Sequence, residues 1–291
     1  YGGSTVIREG VLSMTQPAAP FAGAGVAIEP GGQLRLTSGD PLGGPPRTYM
    51  FGGTVALSST GPAGAEGTGG LCYAPGGVAN WAAVPVPVTL AGTACVAVED
   101  GSGDRLLGNT LALDGGLRGS APLVKQGGGR LVIAGDATDY EGVVTVAEGG
   151  LQADAAMRSA DVVIADNAWL CGTGRVGSVT GGGWISPGAG GPGRLHAQSV
   201  GGEVDFVLRF TTVGDNSAGN DTLELQFSAA PFSRLLDAGN SIHVYLDALP
   251  PEDGYALGGF VTASPEDFTR WIALASWRFF VPDPYGGEVF E

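Results

Sequence analysis

Short apolar segments recur along the whole chain, each three to seven residues long and closed by Gly, Asn or Asp. Such segments are typical of β-strands joined by tight turns, and they follow one another at about ten residues or less. The predicted strands are Val26–Ile28, Gln33–Leu36, Thr54–Leu57, Leu131–Ile133, Val143–Val146, Val162–Ile164, Val204–Phe210, Thr222–Phe227 and Ile242–Leu246.

Helical periodicity is nearly absent from the sequence. Only Glu266–Trp277, which follows the cap-like pair Ser264-Pro265, predicts a helix. The chain is therefore predicted to be all-β. Strand spacing alone allows a sandwich, a barrel or a parallel β-helix.

An internal repeat favours the parallel β-helix among these three folds. The segment Tyr140–Leu151 aligns without gaps on Tyr1–Leu12. Further on, Val162–Leu170 parallels Val26–Leu34 at nearly the same offset. A solenoid explains this repetition because each coil repeats a strand and a corner, and corners take Gly, Asn and Asp.

The repeats also suggest how the chain divides. We predict β-helix coils over residues 1–200, with the stretch 37–120 forming further coils and a loop excursion. About nine coils rising about 4.8 Å each would make a rod on the order of 40 Å long. Residues 201–291 have longer, more aromatic strands and are predicted to form a C-terminal β-rich cap or small domain, because a solenoid needs a cover over its open end.

Composition and charge exclude several classes of protein. Of the 291 residues, 53 are Gly, without the period of collagen, and the hydrophobic share of 43 % is too high for a disordered Gly-rich tract. The net charge is −15 and Lys125 is the only lysine, so a nucleic-acid partner is not expected. No apolar run approaches the ~20 residues of a membrane span, so a signal peptide or anchor is expected outside this sequence.

The three cysteines, Cys72, Cys95 and Cys171, form no CxxC pair. Their spacing makes a metal site improbable. Two interpretations remain open: a Cys72–Cys95 disulfide formed in an oxidising compartment, or three buried thiols that act as small apolar side chains.

Several motifs occur in an order that resembles a known family. The segment Leu123–Gly135, followed by Tyr140–Gly142 and Gly150–Gln152, is similar to the passenger-associated repeat of autotransporter proteins, roughly L-x-K-x-G-x-G-x-L-x-L-x-G, then Y-x-G, then G-x-L. The N-terminal Tyr1–Leu12 matches the tail of the same repeat.

Further motifs of that family follow in order. Leu170–Gly177 and Ile185–Gly188 resemble its L-x-GTG-x-V-G and SPG passage, and Asp221–Leu225 resembles the D-x-L-x-V strand that often comes next. The resemblance implies a right-handed β-helix passenger exposed at a bacterial cell surface. It implies no reaction, because the repeat is a scaffold and function lies in family-specific loops.

Residues able to support catalysis are few. His196 and His243 lie in predicted strands at solvent-facing positions, and the sequence has no G-x-S-x-G elbow. The nearby carboxylates lie in turns, where Asp commonly caps the backbone, namely Asp100, Asp104, Asp136, Asp139 and Glu141. The chain is therefore not expected to be an enzyme. The alternative is a polysaccharide lyase or hydrolase built on a β-helix.

Ca²⁺ is the one cofactor that the sequence suggests. Four oxygen-bearing residues, Asp215, Asn216, Asn220 and Asp221, follow one another within a Gly-containing loop. The loop resembles half of a calcium-binding nonapeptide, a motif that works in tandem. The alternative interpretation is a polar loop without metal, and no other cofactor is expected.

Tryptophans are the candidates for ligand binding, because exposed aromatic rings stack on sugars. Trp169 aligns with Gln33 in the other repeat, which indicates an outward-facing position, and Trp184 is the second candidate. Ordinary packing is the alternative, above all for Trp271 and Trp277.

The leading functional hypothesis is a non-catalytic extracellular scaffold or adhesin module of an autotransporter-like protein. Its expected partners are glycans or host-cell surface proteins, with self-association as a third interpretation and no membrane insertion by this segment.

Overall fold

The computed structural model describes residues 3–15, 25–37, 47–63, 69–76, 80–100, 108–210, 221–225, 241–246, 259–262, 276–282 and 288–290. Within these ranges the secondary structure is entirely β, and nearly all strands pair in parallel. The predicted all-β parallel β-helix is confirmed. The right-handed sense of its winding stays a prediction.

The first fourteen strands are β1 (Thr5–Ile7), β2 (Gly10–Met14), β3 (Val26–Ile28), β4 (Gly32–Leu36), β5 (Arg47–Thr48), β6 (Val55–Leu57), β7 (Leu71–Tyr73), β8 (Trp81–Val84), β9 (Val88–Leu90), β10 (Ala94–Val98), β11 (Thr110–Leu113), β12 (Leu117–Gly119), β13 (Leu123–Gln126) and β14 (Arg130–Ile133).

The next fourteen are β15 (Val144–Val146), β16 (Gly149–Ala153), β17 (Ala156–Met157), β18 (Val162–Ile164), β19 (Ala168–Gly172), β20 (Arg175–Gly181), β21 (Trp184–Pro187), β22 (Arg194–Gly202), β23 (Asp205–Phe210), β24 (Thr222–Leu225), β25 (Ser241–Leu246), β26 (Gly259–Thr262), β27 (Ser276–Pro282) and β28 (Glu288–Phe290). The predicted strands agree with these bounds to within one residue wherever the structure describes them.

Each complete coil has three sides. Side 1 carries β1, β3, β6, β9 and β12, and side 2 carries β2, β4, β7, β10, β13, β15 and β18. Side 3 runs from β5 through β8, β11, β14, β16, β19, β21, β23 and β25 to β27, where β28 pairs antiparallel at the end. Nine strands follow one another on side 2 from β2 to β22, in agreement with the predicted number of coils.

The long strands β20 and β22 join two sides of the coil. Arg175–Val176 of β20 pairs with β17, while Val179–Gly181 pairs with β18. The strands β17, β24 and β26 therefore take the place of side 1 in the later coils, although they share a continuous sheet with side 2.

The core is a set of side-chain rows parallel to the helix axis. Alternate residues of each strand point inward, and the in-register pairing places each above its equivalent in the next coil. On side 3 one such row is Ala82, Leu111, Leu131, Leu151, Leu170, Ile185 and Phe206, all buried.

The two copies of the repeat have the same strands on different sides. The alignment of Tyr1 with Tyr140 carries β1 onto β15 and β2 onto β16, residue for residue, and the alignment of Val26 with Val162 carries β3 onto β18 and β4 onto β19. However, β1 lies on side 1 and β15 on side 2. The repeat therefore encodes a strand–corner–strand unit and not a particular side of the coil.

Two predictions concern the C-terminal third. The predicted helix is wrong at Ser276 and Trp277, which begin β27, and its other residues lie outside the described ranges. Alternating apolar residues in Ser276–Pro282 favour a strand where a neighbouring strand is available for pairing, and β25 supplies one. The boundary between 200 and 201 falls inside β22, and the division into two domains stays a prediction.

Alanine substitutions at Gly149 and Gly10 should separate two costs of a corner. Both residues have positive φ, at 67° and 75°, and occupy equivalent positions of the repeat. A Cβ at Gly149 would collide with the carbonyl oxygens of Gly129 and Gly127, whereas a Cβ at Gly10 meets nothing within 4 Å.

Gly10→Ala should therefore lose only the left-handed backbone cost of about 1–2 kcal/mol, and Gly149→Ala about 1–3 kcal/mol more. Urea unfolding followed by circular dichroism measures both. Equal losses for the two variants would contradict the tight stacking of coils at Gly149.

Candidate functional site

The only lysine of the chain lies inside the helix. On side 2 Lys125 occupies one position in an inward row with Leu71, Val96, Val146 and Ile164, and it is 0 % exposed. Its Nζ donates hydrogen bonds to the carbonyl oxygens of Gln126 at 2.9 Å, Gly127 at 2.5 Å and Glu148 at 3.0 Å. Three acceptors match the three N–H groups of an ammonium. The lysine of the repeat thus fastens one corner to the next.

Burial lowers the pKa of Lys125 to about 7, while the charge of Glu148 acts in the opposite direction. An amine with such a pKa is a candidate for base chemistry in an accessible site. Here the group is enclosed and its hydrogens are engaged with the backbone, so its role is structural.

The tyrosine of the repeat has a similar role. Tyr140 is buried, and its hydroxyl donates to the carbonyl oxygen of Ala121 at 3.0 Å, with that of Val143 at 3.3 Å. Burial raises the pKa of this phenol. A Cβ at Gly142 would run into the ring of Tyr140. The Y-x-G motif therefore places the hydroxyl end of Tyr140 against a glycine.

The motifs that follow the repeat contact one another. Gly172 and Gly188 exchange two backbone hydrogen bonds of 2.8 and 2.9 Å, which joins the GTG corner to the SPG corner. Asp221 then accepts hydrogen bonds from the backbone N–H groups of Gly193 at 2.9 Å and Arg209 at 2.8 Å. The order of these motifs in sequence thus reflects corners that pack against each other in successive coils.

Asp221 belongs to the predicted calcium loop. It is fully buried, and burial raises its carboxyl pKa to about 7, against the effect of the two N–H donors. Both of its oxygens already contact backbone. The other three predicted ligands, Asp215, Asn216 and Asn220, lie outside the described residues, and the calcium site stays a prediction.

The turn carboxylates and the histidines occupy separate places. Asp136 accepts hydrogen bonds from the backbone and hydroxyl of Thr138, which lower its pKa.

His196 points outward on β22, and its Nδ1 lies 3.1 Å from Glu224 Oε2 without the geometry of a hydrogen bond. His243 lies in β25 opposite Val207, and Asp104 falls outside the described residues. Among the described groups, no set of three or more His, Cys, Asp or Glu could hold a metal ion.

All three cysteines are free thiols and buried, so the predicted Cys72–Cys95 disulfide is wrong and the alternative of apolar thiols is confirmed. Both lie on side 2, but Cys72 pairs with Ala97, two residues beyond Cys95. This diagonal separates the Cα atoms by about 8 Å, too far for a disulfide. Burial raises the thiol pKa to about 11 for Cys72 and about 12 for Cys95 and Cys171.

The two candidate tryptophans are direct neighbours. Trp169 of β19 pairs in register with Trp184 of β21, and both are half-buried on the outer surface of side 3. Inward-pointing Leu170 and Ile185 fix this orientation, because neighbours in a strand alternate. The outer row continues to Asp205 in one direction and to Gly150 in the other.

The indole ring of Trp169 lies against Gly150. A Cβ at Gly150 would run into three indole atoms, Cζ2, Cε2 and Cη2, all at nearly the same distance. Near-equal distances to adjacent ring atoms mean that a ring face, and not its edge, covers the glycine. The opposite face of the indole is then turned away from the sheet, the orientation that stacks on a sugar.

Sequence reasoning found Trp169 and Trp184 but missed Gly150. Gly150 and Trp169 are separated by one coil length, and only the register of the strand pairing shows that they are neighbours.

The fold and its motifs define a parallel β-helix built from a structural repeat. Residues 123–153 match the family model described as Passenger-associated-transport-repeat. The matched segment runs from Leu123, through Lys125 and Tyr140, to Ala153, and it confirms the resemblance seen in the sequence. Neither the curated proteins nor the solved structures gave a match to this chain.

The described part of the chain includes no helix with the length and hydropathy to cross a bilayer.

The stability of the chain should depend on pH through Lys125. Between about pH 7 and the ordinary lysine pKa of 10.5, the unfolded chain keeps a proton that the folded chain has released. The free energy of unfolding therefore rises with pH across this window, by at most about 1.4 kcal/mol per pH unit. This contribution is lost as pH falls from 10.5 to about 7. The free energy of unfolding of the parent should rise relative to that of Lys125→Met as pH increases.

Leu123→Met, an inward substitution in the same strand, is the control and should follow the parent at every pH. If the difference between the parent and Lys125→Met stays constant from pH 6 to 10.5, then the three carbonyl groups keep the ammonium protonated and the account of its pKa is wrong.

Proposed function

We propose that this chain is a segment of a secreted or surface-exposed bacterial passenger protein that acts as a non-catalytic scaffold and adhesin module. The passenger repeat at residues 123–153 supports the surface location. Inside the repeat, the two side chains capable of acid–base chemistry, Lys125 and Tyr140, donate hydrogen bonds to backbone carbonyl oxygens. Binding is therefore expected on the outer surface of the coils.

The adhesive surface that we propose consists of Trp169 and Trp184 with Gly150 beneath, named here the tryptophan pair. The observation that carries it is the flat placement of Trp169 over Gly150 beside an in-register Trp184. Two aromatic side chains on neighbouring coils are about 4.8 Å apart at the backbone. They form a short, rigid aromatic strip, which suits the apolar faces of consecutive sugar units in a glycan chain.

The net charge of −15 favours a neutral glycan for this strip, since long polyanions are repelled. Trp169 already lies against Gly150, so little of its conformational entropy is lost when a sugar binds.

Trp169→Ala and Trp184→Ala should each weaken the binding of a neutral oligosaccharide about tenfold, the effect of losing one stacked ring. The measurement is a screen of the whole chain on immobilised neutral glycans, followed by calorimetric titration with the best binder. Gly150→Ala should weaken binding similarly, because it displaces Trp169 without removing it.

Trp81→Ala is the matched control. Trp81 lies on the same outer row of side 3, is 45 % exposed and is four coils from Trp169, through Thr110, Arg130 and Gly150. Its removal should leave affinity unchanged within about twofold. If no glycan binds, or if all four variants lose affinity equally, the tryptophan pair is not the adhesive surface. Release of reducing ends from the bound glycan would instead favour the polysaccharide-active alternative.

A further inference from the structure

A second outer surface of the same coils carries basic side chains. Strands β17, β20 and β22 lie side by side, and Arg175 of β20 pairs in register with His196 of β22. Arg158 follows β17 directly, and Gln198 lies two residues beyond His196. These four residues, named here the arginine face, line one shallow depression on the surface.

The strand pattern turns these side chains outward. The buried residues Met157, Val176 and Ala197 alternate with them and point into the core. Val176 and Ala197 also line the floor of the depression. The polar groups therefore converge from three successive coils around the backbone of Val176 and Ala197, whose side chains point into the core.

The charge on this face is unusual for the protein. The sequence has 14 Lys and Arg residues against 29 Asp and Glu. Arg194 lies 3.6 Å from Glu224, which also faces His196. By contrast, neither Arg158 nor Arg175 has an ion pair with any residue in the described part of the chain.

Backbone contacts help to hold the arginine face in place. The side-chain amide of Gln198 donates a 2.7 Å hydrogen bond to the carbonyl oxygen of Arg158, across two coils. Arg158 directly follows β17, whose Ala156 pairs in register with Arg175, so the two arginines lie close together on the outer surface. Two guanidinium groups on one surface repel each other, an anion between them offsets this repulsion, and their planar forks match the oxygens of a carboxylate or sulfate.

We propose that the arginine face binds one oxyanion group, a carboxylate or a sulfate, carried by an acidic saccharide. Arg158 and Arg175 supply the charge, and His196 and Gln198 border the same depression with polar side chains. The choice of a saccharide as the carrier rests on the proposed surface function. The oxyanion site itself does not, and it uses a different side of the coils from the tryptophan pair.

The protein is titrated by calorimetry at low ionic strength with three probes: an oligosaccharide that carries a single glucuronic acid, one of similar length that carries a single sulfate and the neutral oligosaccharide. Inorganic sulfate is titrated separately. One acidic saccharide should bind saturably, and Arg158→Gln or Arg175→Gln should weaken it about tenfold. Which acidic probe binds more tightly identifies the oxyanion.

Arg118→Gln is the control for charge alone. Arg118 is an exposed arginine on β12, on side 1 of an earlier coil, and its loss changes the net charge by the same amount. It should change affinity less than about twofold. Equal loss in all three variants, or no effect of Arg158→Gln and Arg175→Gln, would overturn the site.

The outcomes separate the two proposals. Inorganic sulfate bound at the arginine face without either acidic saccharide would overturn the saccharide as carrier. Binding of an acidic saccharide that survives Trp169→Ala but not Arg175→Gln supports the arginine face even if the tryptophan pair binds nothing. Loss on Trp169→Ala alone would assign the binding to the tryptophan pair and overturn the inference.

Discussion

The backbone hydrogen bonds of each coil are satisfied by the coils above and below it. Leu123 N–H donates to Val143 in the next coil at 2.9 Å, and Val144 N–H donates to Asp161 in the coil after that at 2.8 Å. Within a coil only turns pair their own peptide groups, as in the 2.9 Å hydrogen bond from Gly32 N–H to the Glu29 carbonyl oxygen, so the strands depend on their neighbours, and a buried unpaired group is costly. Every other feature of the molecule depends on this pairing, because it fixes which residues become neighbours along the axis.

Inside the helix, the pairing gives rows of aliphatic side chains that tolerate few exceptions. Lys125 is one, and it is accommodated because three backbone carbonyl groups lie at its tip. Glycines fill the corners where adjacent coils approach too closely for a Cβ, as at Gly149 and Gly142. The residues of the repeat motif are thus the ones that contact the neighbouring coils.

Outside the helix, the same pairing assembles surfaces from residues far apart in sequence. Trp169 and Trp184 belong to different coils and are adjacent in space, and the same is true of Arg175 and His196. A side chain in one coil can therefore cooperate with its neighbours in the next without any loop to position it. Both surfaces proposed here arise in this way, on coils that follow the passenger repeat.

The sequence predicted the strands, the repeat and the coil architecture, because alternation and Gly corners are local signals. It could not predict contacts that depend on coil length, which varies from the short coil between Trp169 and Trp184 to the much longer one between Phe206 and Ile242. For this reason the contact of Trp169 with Gly150 and the arginine face were not predicted. For the same reason the sequence left open a disulfide between Cys72 and Cys95, which lie on the same side but out of register.

Engineered disulfides test the parallel stacking of coils most directly. Thr145 pairs with Val163 in the next coil, and Val163 pairs with Thr180 in the coil after it. The double variant Thr145→Cys with Val163→Cys places its Cα atoms about 4.8 Å apart, within disulfide reach, and peptide mapping after mild oxidation should find the bond. Thr145→Cys with Thr180→Cys, about 10 Å apart, should stay reduced. A bond in the second variant, or a folded first variant that stays reduced, would contradict the in-register β-helix.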